Sequence, residues 1–313
     1  MIPTTLAAHA DWSVDPRKRW MACARRAGDG WVLGAPAPVG EVAGLLGRLR
    51  ALADGGAVAL GVDMPLGLPR AYAARHAAEA DFPAFLRGLA HRPDFFAVCA
   101  RPDEISAARP FYPRRGVAGM RRAELWGALG LDGPDDLSRA CDRATADRPA
   151  GACLFWTLGP NQSGKAALAA WRELLLPALG RGEALHLWPF EGEYRALLAQ
   201  GGVTVAETYP AEALRQLGLV LRGSKRRQAD RAALAPALAA AMAGLAVAPE
   251  APMRAAMADG FGAEAAGEDR FDCTLGVLCV IAVLAGRRPD AAPADTWVRR
   301  WEGWVLGQTA RLV

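Results

Sequence analysis

Carboxylates at the ends of apolar segments are the side chains of this sequence best placed to do chemistry. Asp11 interrupts an apolar strand, Asp63 directly follows another, and Glu207 directly follows a third. Asp269 and Asp272 lie three residues apart at the start of an apolar helix, so both can face the same side. Because ligands of open α/β sheets gather at the carboxyl ends of strands, we expect these five acids to converge.

Clustered carboxylates favour a bound cation. Uncompensated negative charges repel one another and raise each other's pKa unless a cation neutralises them. Mg²⁺ prefers oxygen ligands and usually keeps several waters, and two such ions about 3.5 to 4 Å apart can activate water for phosphodiester cleavage. For any one acid a turn or a helix cap is the alternative, as at Asp63 before Met64 and Pro65. The whole set in this order favours a two-metal site with Mg²⁺ or Mn²⁺.

The stretch LGPNQSGKAAL at 158–168 has the glycine and lysine spacing of a phosphate-binding loop. That loop needs a Ser or Thr hydroxyl after its lysine to hold Mg²⁺, and this chain has Ala166 there. A nucleotide-binding protein is therefore the weakest of the alternatives. The segment instead predicts a helix start, where Gln162 and Lys165 are candidates for contact with a substrate phosphate, because helix N-termini favour anions.

The hydrophobic pattern predicts three antiparallel strands, a crossover helix and a buried parallel strand. These are the segments 8–13, 19–25 and 30–34, then the helix 39–53 and the continuously apolar strand 57–62. A mainly helical and irregular insertion is predicted at 101–160. Further elements follow in order: a helix at 164–179, strand candidates at 183–192 and 203–210, a helix at 210–217, the apolar helix that opens with EDRFDC, and a closing strand at 301–307. We therefore expect an α/β fold with a mixed sheet flanked by helices.

The composition is typical of a globular protein without a membrane span. The chain has 313 residues, of which 52% are hydrophobic and 22% are charged, with a formal net charge of +4. The apolar run 273–286 is shorter than the ~20 residues that cross a bilayer, and no secretory signal opens the sequence. Six cysteines without a C-x-x-C pair and four histidines without ligand spacing argue against structural zinc and favour reduced thiols in a cytoplasmic protein.

Basic residues occur in doublets and triplets rather than in one tail. Arg114 and Arg115 follow the aromatic residues of PFYPRRG at 110–116, and Arg226 lies in a Lys-Arg-Arg run. Such clusters can contact a polyanion, or they can be ordinary solvated faces. Aromatic rings beside the arginines can also stack on bases, whereas a proline-stiffened surface loop is the alternative. We take the three arginines as candidate contacts to a nucleic-acid substrate, DNA or RNA.

Four segments together resemble one protein family. They are ADWS at 10–13, GVDMPLGLP at 61–69, ETYPAEAL at 207–214, and GSKRRQADR at 223–231 with the later EDRFDC. With the order of three antiparallel strands, helix and inner strand, they resemble the bacterial and archaeal family catalogued as domain of unknown function four-two-nine, predicted RNase H-like nucleases. WTLGPNQSGKAALAAWRELLLPAL, LWPFEG and the final EGWVLG are similar to features of a longer branch of that family. The resemblance spans nearly the whole chain.

The resemblance implies a single RNase H-like domain over 1–313, with 101–160 inserted, and a metal-dependent phosphodiesterase. It implies the following metal ligands: Asp11, Asp63 and Asp272, with Asp269 or Glu268 as the second acid of the last helix. Glu207 would be a further ligand or a base that orients water. Lys225 would contact a phosphate or stabilise developing charge. A nucleic-acid or protein-binding module that keeps this fold without catalysis is the alternative.

Overall fold

The computed structural model describes residues 2–116, 119, 121–145, 148–158 and 163–309. By its internal contacts the chain divides into two compact units, which we name the sheet unit and the helical unit. The sheet unit comprises Met1–Asp63, Ala184–Ala291 and Val305–Thr309, and the helical unit comprises Met64–Glu183, Ala292–Trp304 and Ala310–Val313. The interpretation of 1–313 as a single domain with 101–160 inserted stays a prediction.

Strands dominate the first third of the chain and helices the remainder. The strands are β1 (Thr4–Asp11), β2 (Trp20–Ala27), β3 (Gly30–Leu33), β4 (Ala37–Pro38), β5 (Ala57–Val62), β6 (Leu185–Leu187), β7 (Val203–Glu207) and β8 (Val247–Pro249). The α-helices are α1 (Leu45–Leu52), α2 (Arg70–His76), α3 (Phe82–Gly88), α4 (Arg122–Ala128), α5 (Ser163–Ala170), α6 (Leu176–Gly180), α7 (Tyr194–Ala199), α8 (Pro210–Gln216), α9 (Gln228–Ala233), α10 (Ala235–Gly244), α11 (Ala251–Ala258) and α12 (Ala266–Leu284). Within the described ranges, none of these helices has the length and apolar character needed to cross a membrane.

The strands belong to the sheet unit and form one mixed sheet. Its order is β6-β7-β5-β1-β2-β3-β8, with β4 paired to β2. β1, β2 and β3 are antiparallel, whereas β5 runs parallel to β1, β7 to β5 and β6 to β7. Helices of the same unit pack on the sheet. The predicted α/β fold, with antiparallel strands followed by parallel ones, is therefore confirmed.

Several element boundaries differ from the sequence predictions for local reasons. Gly40 has φ 70°, a left-handed conformation that a helix excludes, so the crossover helix cannot begin at Val39 as predicted; α1 begins at Leu45. β6 ends at Leu187, before Pro189, which lacks the N–H that a strand ladder needs. The predicted closing strand at 301–307 is wrong, because Val305 makes an isolated bridge while Val298–Glu302 is a π-helical turn.

The long helix α12 lies against the centre of the sheet. It packs on β1, β2 and β5, and its residues 271–283 are all buried, as expected of a helix that is apolar on every side. Two glycines permit the close approach. A Cβ at Gly276 would overlap the ring of His9, and a Cβ at Gly61 would lie 2.8 Å from Val280 Cγ2. This contact aligns α12 with β1 and brings the first turns of the helix towards the end of that strand.

The helical unit has its own aromatic core and a buried ion pair. Arg139 and Asp142 are both almost fully buried and pair at 2.8 Å. Arg139 Nη1 also donates to Leu66 O at 3.0 Å, and Trp171 Nε1 donates to Pro65 O at 2.9 Å. These bonds hold the first residues of the helical unit in a defined path.

Candidate functional site

Two of the predicted acids meet at the carboxyl ends of β1 and β5. Asp11 is the last residue of β1, and Asp63 directly follows β5. The two strands are parallel with Ala10 opposite Val62, and the Asp63 N–H donates to Ala10 O at 3.4 Å. The Trp12 N–H in turn donates to Asp63 Oδ1 at 3.0 Å. The sheet register therefore places the two carboxyl groups together, and their side chains share a hydrogen bond.

Helix α12 brings two further acids to the same place. Asp269 lies in its first turn, and Asp272 follows three residues later. Asp272 is 7% exposed, and Asp269 is half-buried. Both act electrostatically on Asp11, as does Asp63. The structure thus brings together the four aspartates that the sequence marks as candidate metal ligands, and we name them the acidic cluster.

Burial raises the pKa of every aspartate in the acidic cluster, and the charges of neighbouring carboxylates add to the shift. The pKa of Asp11 stands well above its ordinary value, first through burial and then through the charges of Asp63, Asp272 and Asp269. Burial raises the pKa of Asp63 to about 7, although a bond from a backbone N–H opposes the shift. Burial also raises the pKa of Asp269 to about 6, and it raises that of Asp272 against the opposing charge of Lys225. Near neutral pH the cluster therefore holds protons that ordinary carboxylates have lost.

Lys225 supplies a positive charge to the acidic cluster. Its Nζ pairs with Asp272 Oδ2 and lies 3.4 Å from Glu268 Oε1. Burial alone would lower the pKa of Lys225, but the charges of Asp272 and Glu268 raise it to about 12. The ammonium group is therefore protonated at physiological pH and acts as a hydrogen-bond donor. Lys18 also acts electrostatically on Asp269, and Arg231 acts on Asp272, so three cations balance part of the negative charge of the four aspartates and Glu268.

A buried arginine fixes the segment that carries Lys225. Arg231 is 1% exposed and donates to the carbonyl oxygens of Lys225, of Gly260 at 2.8 Å and of Gly262 at 2.6 Å. Gly260 and Gly262 precede α12, whereas Lys225 precedes α9. Arg231 therefore ties the Lys225 segment to the turn that leads into the acidic helix.

One carboxylate oxygen of the acidic cluster lacks a partner. Asp272 Oδ1 is buried and has no hydrogen bond to any of the residues that the structure describes. A buried acceptor without a donor costs about 1–3 kcal/mol, and more when it is charged. The acidic cluster is also open. Among the described residues, no set of three cluster carboxylates places one oxygen from each within 4.8 Å of the other two. This geometry is typical of a site with few protein ligands rather than of a closed cage.

Two other predicted residues of the sheet unit lie outside the acidic cluster. Glu207 ends β7 opposite Val62, is 2% exposed, and accepts the Leu306 N–H at its carbonyl oxygen at 2.8 Å. Among the described residues, Glu207 is not one of the main charges that shift the pKa values of the four aspartates. Arg226 is exposed, and its Nε lies 3.8 Å from Glu268 Oε2. The roles assigned to Glu207 and Arg226 stay predictions.

The remaining predicted residues belong to the helical unit or to undescribed positions. Lys165 lies in the first turn of α5, and its pKa is lowered first by burial and then by the charge of Arg115. Arg114 and Arg115 are exposed. Gln162 lies outside the described residues, as do 159–161 of the glycine and lysine stretch. The like charges of Lys165 and Arg115 therefore lie near one another. The interpretation of 158–168 as a nucleotide-binding loop stays a prediction.

Two residues that support the site are not among those predicted from the sequence. Arg231 resembles the solvated arginines around it, and no local pattern marks it as buried. His9 lies two residues before Asp11 on the same face of β1, a position that strand alternation does mark. It is fully buried, neither ring nitrogen has a hydrogen-bond partner among the described residues, and burial lowers its pKa to about 3. His9 is therefore a neutral group that packs between β1 and α12.

The arrangement is suited to two kinds of chemistry. Carboxylate oxygens in this number bind hard divalent cations, which prefer oxygen ligands. Without a cation, carboxyl groups with raised pKa values accept or release protons near neutral pH.

Comparison of the chain with protein-family models, with curated proteins and with solved structures gives no match.

Proposed function

We propose that this protein is a metal-dependent phosphodiesterase that cleaves nucleic acid, an RNase H-like nuclease. The observation that carries the proposal is the meeting of Asp11, Asp63, Asp269 and Asp272, which come from two strand ends and one helix. Neighbouring aspartates as well as burial raise the pKa of Asp11, Asp63 and Asp269, and a divalent cation would supply compensating charge.

The sheet order supports the RNase H-like assignment. β1, β2 and β3 are antiparallel, α1 follows, and β5 returns parallel to β1. The resemblance to the family catalogued as domain of unknown function four-two-nine rests partly on this order. Asp11 and Asp63 stand at the ends of the two strands that this order makes adjacent. A site at that edge agrees with the fold class, whereas the activity is argued from the acids themselves.

The acidic cluster fits Mg²⁺ or Mn²⁺. Its donors are carboxylate oxygens, and an open set of few carboxylates suits an ion that keeps several waters. The buried Asp272 Oδ1 has no donor among the described residues, and Asp11 and Asp63 must share a proton to hydrogen bond. We assign Asp11, Asp63 and Asp272 as ligands, with Asp269 as the second acid of α12. A bound cation neutralises charge, activates water and polarises the phosphoryl oxygen.

The residues around the cation have distinct roles. Lys225 keeps its proton because acidic neighbours raise its pKa to about 12, so it can donate to a substrate phosphate but cannot act as a base. Asp269 is half-buried in the first turn of α12 and would hold the cation as the second acid of that helix. The Trp12 N–H holds the Asp63 carboxyl group in one orientation. Glu207 stays the candidate for orienting water.

A cleavage assay tests this proposal. Purified protein is incubated with Mg²⁺ or Mn²⁺ and labelled single-stranded DNA, RNA, RNA–DNA hybrid or branched DNA. We expect cation-dependent cleavage that falls at least ~100-fold in Asp63→Asn and in Asp272→Asn, a typical loss when a group that stabilises transition-state charge is removed. Asp54→Asn is the matched control, because Asp54 is exposed and Asn tolerates its left-handed φ of 46°. Cleavage at the wild-type rate by Asp63→Asn would reject the metal assignment.

Binding without cleavage is the second candidate function. Lys165 and Arg115 of the helical unit hold like charges near one another, although burial is the larger cause of the lowered pKa of Lys165. Two cations that approach one another are stabilised by an anion, and a nucleic-acid phosphate provides one. Tight binding of an oligonucleotide with no turnover under any divalent cation would favour this candidate.

A further inference from the structure

The loop between β1 and β2 brings a basic residue to the acidic cluster. Trp20, the first residue of β2, lies opposite Asp11, and the Arg270 guanidinium carbon lies 4.2 Å from the centre of the Trp20 ring. Lys18 precedes Trp20 by two residues. Burial raises the pKa of Asp269, and Lys18 supplies the largest of the charges that act on it, one that lowers this pKa. Lys18 therefore lies beside Asp269, on the side of α12 that faces β2.

A second basic segment lies on the other side of the same turn of α12. Lys225 Nζ and Arg226 Nε lie 3.4 Å and 3.8 Å from oxygens of the Glu268 carboxylate. Successive residues of an α-helix point about 100° apart, so Glu268 and Arg270 face nearly opposite directions. Arg270 is the residue that packs on β2. The acidic cluster thus lies between the loop of Lys18 and the segment of Lys225.

The outer cation on each side has hydrogen-bond donors to spare. Lys18 is exposed, and its ammonium group has no hydrogen-bond or ion-pair partner among the described residues. Its charge also lowers the pKa of Asp15, but less than Arg17 does, which pairs with that carboxylate at 2.8 Å. The Arg226 side chain is 78% exposed, and within the described ranges its one ion-pair neighbour is Glu268, at a distance longer than a hydrogen bond. Both groups can therefore donate to a phosphate.

The loop between β1 and β2 is held in a defined conformation. Arg19 is 2% exposed, and it donates to Ser13 O at 2.6 Å and to Val14 O at 3.2 Å. Its guanidinium carbon also lies 5.0 Å from the centre of the Trp12 ring, a cation–π distance. Because Arg19 directly follows Lys18, these contacts fix the backbone that carries the ammonium group. A cation that is already in place binds its partner at a lower cost in conformational entropy.

We propose that the acidic cluster cleaves an internal phosphodiester bond of a polynucleotide strand, with Lys18 and Arg226 bound to the phosphates on either side of that bond. This inference rests on the proposed function, since it takes the acidic cluster as the place of cleavage. Lys225, which pairs with Asp272, serves the phosphate that is cleaved. Ammonium and guanidinium groups bind phosphate through charge-assisted hydrogen bonds. A cation on each side of the cluster favours a strand that continues in both directions over a mononucleotide or a strand end.

The cleavage is a hydrolysis. The oxygen of a water molecule forms a bond to phosphorus, and the bond from phosphorus to the leaving sugar oxygen breaks, with its electron pair going to that oxygen. The proton that the water loses balances the proton that the leaving oxygen gains. One product therefore ends in a phosphate monoester and the other in a hydroxyl group.

Oligonucleotide length tests the internal position. A dinucleotide of thymidine or uridine contains one phosphodiester bond, whereas the central bond of the matching tetranucleotide has a phosphate on each side. With the full-length protein and Mn²⁺, we expect kcat/KM for the tetranucleotide to exceed that for the dinucleotide at least ~10-fold, with cleavage at the central bond. Equal kcat/KM values, or cleavage that starts at a strand end, would overturn the inference.

Four variants locate the two contacts. Binding of a labelled single-stranded octanucleotide is measured by fluorescence anisotropy in the Asp63→Asn background, which prevents cleavage. Lys18→Gln and Arg226→Gln should each lower the slope of log Kd against log salt concentration by about 0.7, the value of one lost phosphate contact to a single strand. Arg17→Gln and Arg227→Gln are the controls, because they remove the same charge next to each site from arginines that already pair with an aspartate, at 2.8 Å and 3.6 Å. Equal changes in controls and test variants would mean a general charge effect and would overturn the inference.

A small phosphodiester distinguishes failure of this inference from failure of the proposed function. Bis(4-nitrophenyl) phosphate has no flanking phosphate, so its hydrolysis reports on the acidic cluster alone. Hydrolysis of this probe together with unchanged salt slopes in Lys18→Gln and Arg226→Gln would overturn the two contacts alone. Lowered slopes in both variants, with no cleavage of any probe, would reject the proposed function while supporting the contacts to the strand.

Discussion

Asp63→Asn is expected to stabilise the cation-free protein above neutral pH. The substitution removes the charge of a half-buried carboxyl group but keeps the shape of the side chain. The new amide oxygen can accept the Trp12 N–H, which now donates to Asp63 Oδ1 at 3.0 Å. The new amide nitrogen can donate to Asp11, which already shares a hydrogen bond with this position. The change therefore removes electrostatic cost while it retains the local hydrogen bonds.

The pKa of Asp63 sets the size of this effect. Its folded value of about 7 lies above the ordinary 3.8, so the stability that the carboxyl group contributes is fully present below pH 3.8 and is lost as pH rises through about 7. At ~1.4 kcal/mol per pKa unit, the loss approaches ~4 kcal/mol at pH ~8 and stays below ~1 kcal/mol at pH ~4. Since ~1 kcal/mol moves the Tm of a domain of 150–250 residues by about 2–4 °C, the gain is at most roughly 8–16 °C. Solvent reaches the half-buried carboxyl group and reduces the measured value.

Thermal unfolding between pH ~4 and pH ~8 measures the effect. In buffer with EDTA, the Tm of wild type should fall below that of Asp63→Asn progressively as the pH rises. Mn²⁺ should then stabilise wild type, by about 2.7 kcal/mol at 100 times its Kd, and should stabilise Asp63→Asn much less. Asp54→Asn should follow the wild-type curve with and without cation, because Asp54 is exposed.

Two results would contradict the raised pKa of Asp63 and the need for a bound cation. A difference in Tm between wild type and Asp63→Asn that does not change with pH would mean that Asp63 titrates near its ordinary pKa. A wild type that is the more stable protein at pH ~8 in EDTA would mean that protein cations already compensate the cluster, which removes the main argument for a bound metal.

Three further changes test the surroundings of the cluster. Lys225→Met removes the charge that pairs with the buried Asp272. In urea titrations at neutral pH without cation, the free energy of unfolding should therefore fall by about 1–3 kcal/mol. An unchanged free energy of unfolding would contradict the pairing. In Arg231→Lys the shorter set of donors cannot bond to all three carbonyl groups, so amide hydrogen exchange of residues 223–227 should become faster. Arg227→Lys is the control, because Arg227 is exposed and its replacement should leave the exchange rate unchanged. Equal exchange rates in the two variants would contradict the anchoring role of Arg231. Gly276→Ala improves helix propensity by up to ~1 kcal/mol but places a methyl group on the buried histidine of β1, so a net loss of about 1–3 kcal/mol is expected in thermal unfolding. Gly244→Ala, whose added Cβ meets open space, should be neutral or stabilising, and a similar loss in both alanine variants would argue against close packing.

The part of the fold that local pattern carries was predictable. The continuously apolar run 57–62 indicates a strand covered on both faces, and β5 has those bounds. By contrast, β8 has three residues that become a strand only by pairing with β3, which lies far away in sequence. Gly40 shortens α1 through a backbone conformation that periodicity does not report. The local hydrophobic pattern therefore does not determine which strands pair or which φ value a single residue adopts.

For the candidate site, the local sequence pattern showed which acids are present and predicted that they end strands or begin a helix. That Asp11 and Asp63 stand on neighbouring parallel strands was implied only by the family resemblance, and the register of β1 and β5 shows it. The packed chain alone shows that Asp272 is buried with one oxygen that has no partner among the described residues, and that Arg231 anchors the segment of Lys225. The physical reason is that burial and charge–charge interaction depend on distance in space, and α12 comes near β1 only when the chain has packed.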